Sequence, residues 1–235
     1  TILQGLQQTV GVGRKTAQIG VIVNRHRVEM PGQKNGPPPI AGNEQRHAMP
    51  PVARICRDRP NVGLRPESLD QLTRWVREDP TVDLVFSDHW VIGTDGSVDQ
   101  SATDLFASKY GRKRMTSGRL TRSAAIAAAL RSSMMLQAML IRRAVLAETP
   151  LRMDRARVAD FDLQLRLAMR NPPLHIIYCA QRLVEYRVHT DQFTGEASSA
   201  DQRRQFHIDF LASLGSPADF PQDLRPQYRR LAAEH

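Results

Sequence analysis

Between Ala159 and His189 the chain reads ADFDLQLRLAMRN, then LHIIYCA, then RLVEYRVH. No other stretch narrows the possible folds as much. Phe161, Leu165 and Ala168 recur at helical spacing, and Leu, Gln, Arg, Ala and Met all favour helix. Phe161, Leu163, Leu165 and Leu167 also alternate with polar residues, as in a strand. Propensity decides for helix, with Asp160 in its first turn, where a negative charge suits the positive end of the helix dipole. His175–Cys179 is β-branched and aromatic and reads as a core strand, with Leu183–His189 as another. A helix followed by buried strands has to pack on a sheet, so an α/β layer is expected.

The chain before this stretch fits the same class. Pro66–Glu78 is expected to be a helix starting near Glu67, since Leu69, Leu72, Trp75 and Val76 share one face and Pro80 stops it. Val82–Phe86 reads as a strand, Ser87–Trp90 as the start of a turn, and Thr94–Ser97 as a hairpin connection. Asp88–His89 looks like a metal pair, but adjacent strand residues point to opposite faces, so a structural role is expected. Asp104–Gly118 is polar and basic and reads as a mobile loop. Arg122–Arg131 is Ala-rich and helical, and propensity alone would extend that helix through the Met-rich run to Glu148. At the start, Ile2, Leu3, Leu6 and Val10 give Thr1–Val10 a short helical stripe, and Gln18–Asn24 reads as a buried strand. Pro31–Pro51 is rich in Pro, Gly and Asn and reads as loop.

Composition bounds the rest. The 235 residues suffice for one sizeable core and are too few for two comfortable domains. No apolar run is long enough for a membrane span, and Thr1–Val10 lacks the basic and apolar blocks of a signal peptide, so a cytoplasmic location is expected. Cys56 and Cys179 give neither metal spacing nor a disulfide framework. The net charge of +9 comes mostly from arginines spread over nearly every segment, which disfavours a nucleic-acid site. Such a surface could equally attract sugar diphosphates or make peripheral contact with anionic lipid head groups.

The pattern D-x-D-L-x-L-R-L-A, then a hydrophobic strand, then L-x-x-Y-R-x-H resembles the C-terminal half of family-2 glycosyltransferases, which have the GT-A fold. Upstream, DPTVDLVFSDHWVIGTDGSVD and AMLIRRAVL resemble the segments that precede it in those enzymes. The match runs from Pro66 to Thr194. It implies a GT-A-like mixed sheet flanked by helices over residues 1–195, with 196–235 as a C-terminal helical extension (Asp201–Leu214 and Asp223–Ala233). It also implies a short strand near Ala138–Ile141 and a new helix from Arg143, against the single long helix of propensity.

The implied activity is transfer of a sugar from a nucleotide-diphosphate donor to a glycan, lipid or protein acceptor, with inversion. The family's E-D-x-D motif carries its catalytic base at the position of Asp160, although Ala159 replaces the Glu. A turn after Cys56 would hold the family's Asp-x-Asp pair for a divalent metal and the diphosphate, since hard cations want oxygen ligands. Here it offers only Asp58, between Arg57 and Arg59, with Asn61 as a second oxygen. The resemblance therefore implies Asp58, Asn61 and Arg187 toward the donor diphosphate, and Asp58 and His189 around Mn²⁺ or Mg²⁺. Bland readings stand beside these: Asp58 as a surface ion pair, Asp160 as a helix cap, His189 as a buried strand histidine, and Arg187 as cover for apolar surface. The acid expected after Gln18–Asn24 for nucleotide recognition is absent. The alternative is therefore a catalytically impaired or incomplete relative acting as a structural or binding module.

Overall fold

A computed structural model describes residues 6–12, 15–21, 62–188 and 200–235. Its strands are β1 Leu6–Val12, β2 Lys15–Val21, β3 Val62–Leu64, β4 Leu84–Ile92, β5 Gly118–Arg119, β6 Met139–Arg142 and β7 Ile176–Arg187. Its helices are α1 Ser68–Glu78, α2 Gln100–Lys109, α3 Arg122–Leu130, α4 Arg143–Glu148, α5 Ala159–Ala168, α6 Ala200–Leu214 and α7 Arg225–Glu234. The strands form one curled mixed sheet in the order β1-β2-β6-β4-β7-β3, with β5 on β7. Only β4 and β7 run parallel; every other pair is antiparallel. The expected mixed α/β sheet with flanking helices is therefore present. No helix among the described residues is long and apolar enough to cross a membrane.

Strand alternation sorts side chains onto two faces. Leu84 and Phe86, Met139 and Ile141, and Ile176 and Tyr178 point toward α3 and α5 and form the larger core cluster. Val85, Leu140, Ile177 and Cys179 point the other way, onto Leu72 and Val76 of α1. The side-chain hydroxyl of Ser68 donates to the carbonyl of Leu183 and pins the start of α1 to β7. On the first face, Ala125, Ala128 and Ala129 let α3 approach closely, while Leu163, Leu165 and Leu167 bury α5 nearly all round. The expected C-terminal helices share this core through Phe210, Leu214 and Phe220.

Four expectations need correction. Leu6–Val12 is a strand, not part of a helix: it pairs with Lys15–Val21 in a continuous register from Leu6↔Val21 to Val12↔Lys15. The β-branched Thr9, Val10 and Val12 suit such a hairpin better than the four-residue stripe suits a helix. β4 does not turn at Ser87 but continues to Ile92, because β7 supplies partners along its whole length. For the same reason the two strands expected around Cys179 and Leu183 are one. Asp104–Gly118 is not a loop throughout. Asp99 accepts a hydrogen bond from the Ala102 N–H (2.8 Å) and caps α2, whose Thr103 and Ala107 are buried against β4.

Two local expectations are met. A strand and a separate helix replace the long propensity helix at Met139–Arg142 and Arg143–Glu148. The hairpin turn is present, with the Gly93 N–H donating to Ser97 O at 2.9 Å. The loop expected at Pro31–Pro51 and Cys56 lie outside the described residues.

Candidate functional site

The acidic start of α5 places two carboxylates in opposite surroundings. Asp162 is buried, 1% exposed, and its Oδ2 accepts from Arg166 Nε at 2.7 Å, one helical turn on. Arg152 and Arg155, from the stretch leading into the helix, bring further guanidinium nitrogens to 3.5 and 3.8 Å of Oδ1. Asp160 stands about 200° round the helix from Asp162 and is exposed. Its Oδ1 accepts from the N–H of the next residue, Phe161, at 2.9 Å. The helix cap position is Val158, which makes no side-chain cap, so Asp160 is not the capping residue. Packed protein around the carboxyl desolvates it and raises its pKa above the ordinary value, against the lowering effect of that N–H.

The other anticipated site residues do not gather around Asp160 in the described structure. Arg187 is buried, 7% exposed, and its Nη1 donates to the carbonyls of Gly93 (2.6 Å) and Thr94 (3.1 Å). It braces the hairpin turn after β4. Asp58, Asn61 and His189 lie outside the described residues. Among the described residues no group of three or more His, Cys, Asp or Glu side chains is assembled as a metal site requires. The described chain thus gives the Mn²⁺ or Mg²⁺ expectation no ligand set.

A second cluster was anticipated only in part. At Ser87–His89 the pairing of β4 with β7 slips: Ser87 lies opposite Cys179, Asp88 opposite Arg182 and His89 opposite Val184. Such a bulge re-aims side chains. Both Asp88 and His89 end up buried. Asp88 Oδ1 accepts from Arg112 Nε at 2.7 Å and from the His89 N–H at 2.8 Å. Arg112, 3% exposed, also donates to Ser133 O at 3.3 Å, while its Nη2 is buried with no hydrogen-bond partner among the described residues. Gly111 makes the left-handed turn just before Arg112. Its φ is +74°, and an added Cβ would lie 2.9 Å from Arg131 Cδ. His89 is held neutral: desolvation first, then Arg112, push its pKa down to about 4.

Beside this cluster lies a cavity of about 680 Å³, lined from α1, β4, α2, the 112–115 turn and β7. Arg65, Arg112, Lys113 and Arg182 contribute four cations to its lining, against the carboxylates of Glu67 and Asp88. Arg182 is fixed by Asp104 at 2.9 Å and by stacking over Trp90 at 4.6 Å. Neither Asp160 nor Arg187 lines this cavity. In the sequence, Asp88 was visible as half of a pair and Arg112 as part of the basic run KYGRKR. Nothing local showed that they meet across 24 residues. Compared with known proteins, the chain matches no family model and no curated protein.

Proposed function

We propose that this chain is a GT-A-type glycosyltransferase that moves a sugar from a nucleotide-diphosphate donor to an acceptor hydroxyl with inversion, Asp160 being its base. The observation that carries this reading is the contrast at the start of α5. One carboxylate is locked in a cage of arginines, and the other is solvent-reachable with a raised pKa. A general base works best when its pKa approaches the working pH, and it must reach the proton it takes. Asp160 would accept the acceptor hydroxyl proton as that oxygen bonds to the sugar's anomeric carbon. The bond to the diphosphate breaks on the opposite face, and the diphosphate leaves with the electron pair. The alternation of strands and helices in the order β4, α2, β5, α3, β6, α4, α5, β7 also supports the reading.

In this reading the donor diphosphate falls to Asp58, Asn61 and Arg187, with Asp58 and His189 around the metal. Mn²⁺ or Mg²⁺, if bound there, would neutralise charge on the leaving group. Arg187 also holds the hairpin through its Nη1.

A second reading is a non-catalytic relative that keeps the fold as a binding module. The commitment of Arg187 to backbone carbonyls and the hydrogen bond of Asp160 to its own helix end favour it. Titration of the full chain with UDP in the presence of Mn²⁺, followed by assay of nucleotide release from a panel of nucleotide sugars, separates the two. Saturable binding with release that Asp160→Asn cuts by roughly 10²–10⁴ supports the enzyme. Absence of binding and of release supports the module.

A further inference from the structure

The cavity beside Asp88 is unused by that reading, and its chemistry points to a ligand. We propose that it is a separate binding site for a small molecule carrying a dianionic phosphate group, either inorganic phosphate or a phosphate monoester.

The charge balance comes first. Four cations line the cavity, and three carboxylates oppose them: Glu67 and Asp88 in the lining, and Asp104 behind Arg182. Asp88 is already engaged by Arg112 at 2.7 Å, with Arg182 at 3.9 Å, and Glu67 pairs with Arg65 at 3.3 Å. The balance is positive by one charge, and guanidinium groups bind phosphate oxygens in paired geometry.

The second observation is independent of the charge count. Arg112 lines the cavity and is 3% exposed, yet its Nη2 has no hydrogen-bond partner among the described residues. A buried donor left unmet is costly, and a small shift of the Arg112 side chain toward the cavity would let a ligand oxygen satisfy it. Arg182 is held in advance by Asp104 and by the Trp90 ring, so binding would not have to order it. Lys113 is exposed along the lining and would draw the anion in. At about 680 Å³ the space exceeds a phosphate ion and leaves room for the body of an ester.

Calorimetric titration of the full chain at low salt tests this, with inorganic phosphate, glucose 6-phosphate and acetate as probes. Saturable one-to-one binding of a phosphate probe, with acetate at least roughly tenfold weaker, is expected. Tighter binding of glucose 6-phosphate than of inorganic phosphate would assign the site to a monoester, and the reverse to the free ion. Arg182→Gln and Lys113→Gln should each weaken binding by roughly tenfold while leaving the circular dichroism spectrum and melting temperature unchanged. Lys113, being exposed, keeps the test valid if Arg182→Gln disturbs the fold. The proposal is overturned if acetate binds equally well, if neither variant changes the affinity, or if no probe saturates. Direct competition by UDP with Mn²⁺ would also overturn it, since the anion site would then be the donor's own. The readout is binding alone, so an absence of sugar transfer leaves it standing, and its own failure leaves the transferase reading untouched.

Discussion

Arg166 Nε sits 2.7 Å from Asp162 Oδ2, one turn along α5, while Asp160, two residues before Asp162, has no ion pair among the described residues. The first relationship was readable from the i, i+4 spacing. Its depth was not, because Arg152 and Arg155 reach Asp162 from the stretch before the helix.

Asp162→Asn should destabilise the protein by roughly 1–3 kcal/mol, because it removes the buried charge on which three arginines converge. The arginines are partly exposed, which keeps the loss below that of a fully buried pair. Asp160→Asn should change stability by less than about 0.5 kcal/mol, as an exposed substitution does. Urea denaturation of both variants measures this. Equal losses would mean that Asp160 is a structural residue and nothing more.

If Asp160 is the base, activity must disappear as it protonates. Its pKa is raised by desolvation, so the acidic limb of kcat/KM against pH should lie above the ordinary aspartate value of about 3.9. Activity is then present above the raised pKa and lost as pH falls through it. A limb at or below the ordinary value would contradict the role.

Which parts of this could be read in advance follows from how local their causes are. α1 and α5 announce themselves through apolar spacing within one segment, and the break before Arg143 through the resemblance. α2 carried a readable cap in Asp99, but its polar sequence QSATDLFASK hides the small buried face of Thr103 and Ala107. The bulge at Ser87–His89 was out of reach, since its cause is the extra chain between Cys179 and Arg182 on β7. Arg187 looked like a ligand-binding arginine, and its targets, Gly93 O and Thr94 O, lie more than 90 residues away.

His89 makes the fold sensitive to mild acid. In the unfolded chain it titrates near 6.5, whereas in the fold burial holds it neutral down to about 4. Between these values the unfolded state binds the extra proton, so stability falls as pH drops from about 6.5 to about 4 and the effect is complete below that. His89→Phe should remove this component. The ring would pack against Phe106 and Tyr186, whose centroids lie 6.3 and 5.8 Å from the imidazole, and Nδ1 has no hydrogen-bond partner to lose among the described residues. Urea midpoints measured from pH 7 to pH 4 should fall less for the variant than for the wild type. Parallel curves would show that His89 is not the cause.

The last prediction concerns the terminal helices. The sequence presents them as an extension, but Phe210 of α6 is 5% exposed, and its ring lies 4.2 Å from that of Phe161 in α5. Phe206 and His235 flank it with centroids at 6.1 and 4.0 Å. Phe161 immediately follows Asp160, so the same contact that seats α6 also fixes the helix turn presenting the proposed base. Truncation of a buried aromatic costs about 3–5 kcal/mol through lost burial and the cavity it leaves. Phe210→Ala should therefore lower the stability of the whole domain by that amount in a single cooperative transition. In the surviving folded fraction it should also lower any transferase rate, because the start of α5 loses its support. Ile208→Ala, on the exposed side of the same helix, controls for helix propensity and should cost under about 0.5 kcal/mol. If Phe210→Ala costs less than about 1 kcal/mol, or melts α6 and α7 in a separate early step, the terminal helices are an appendage after all.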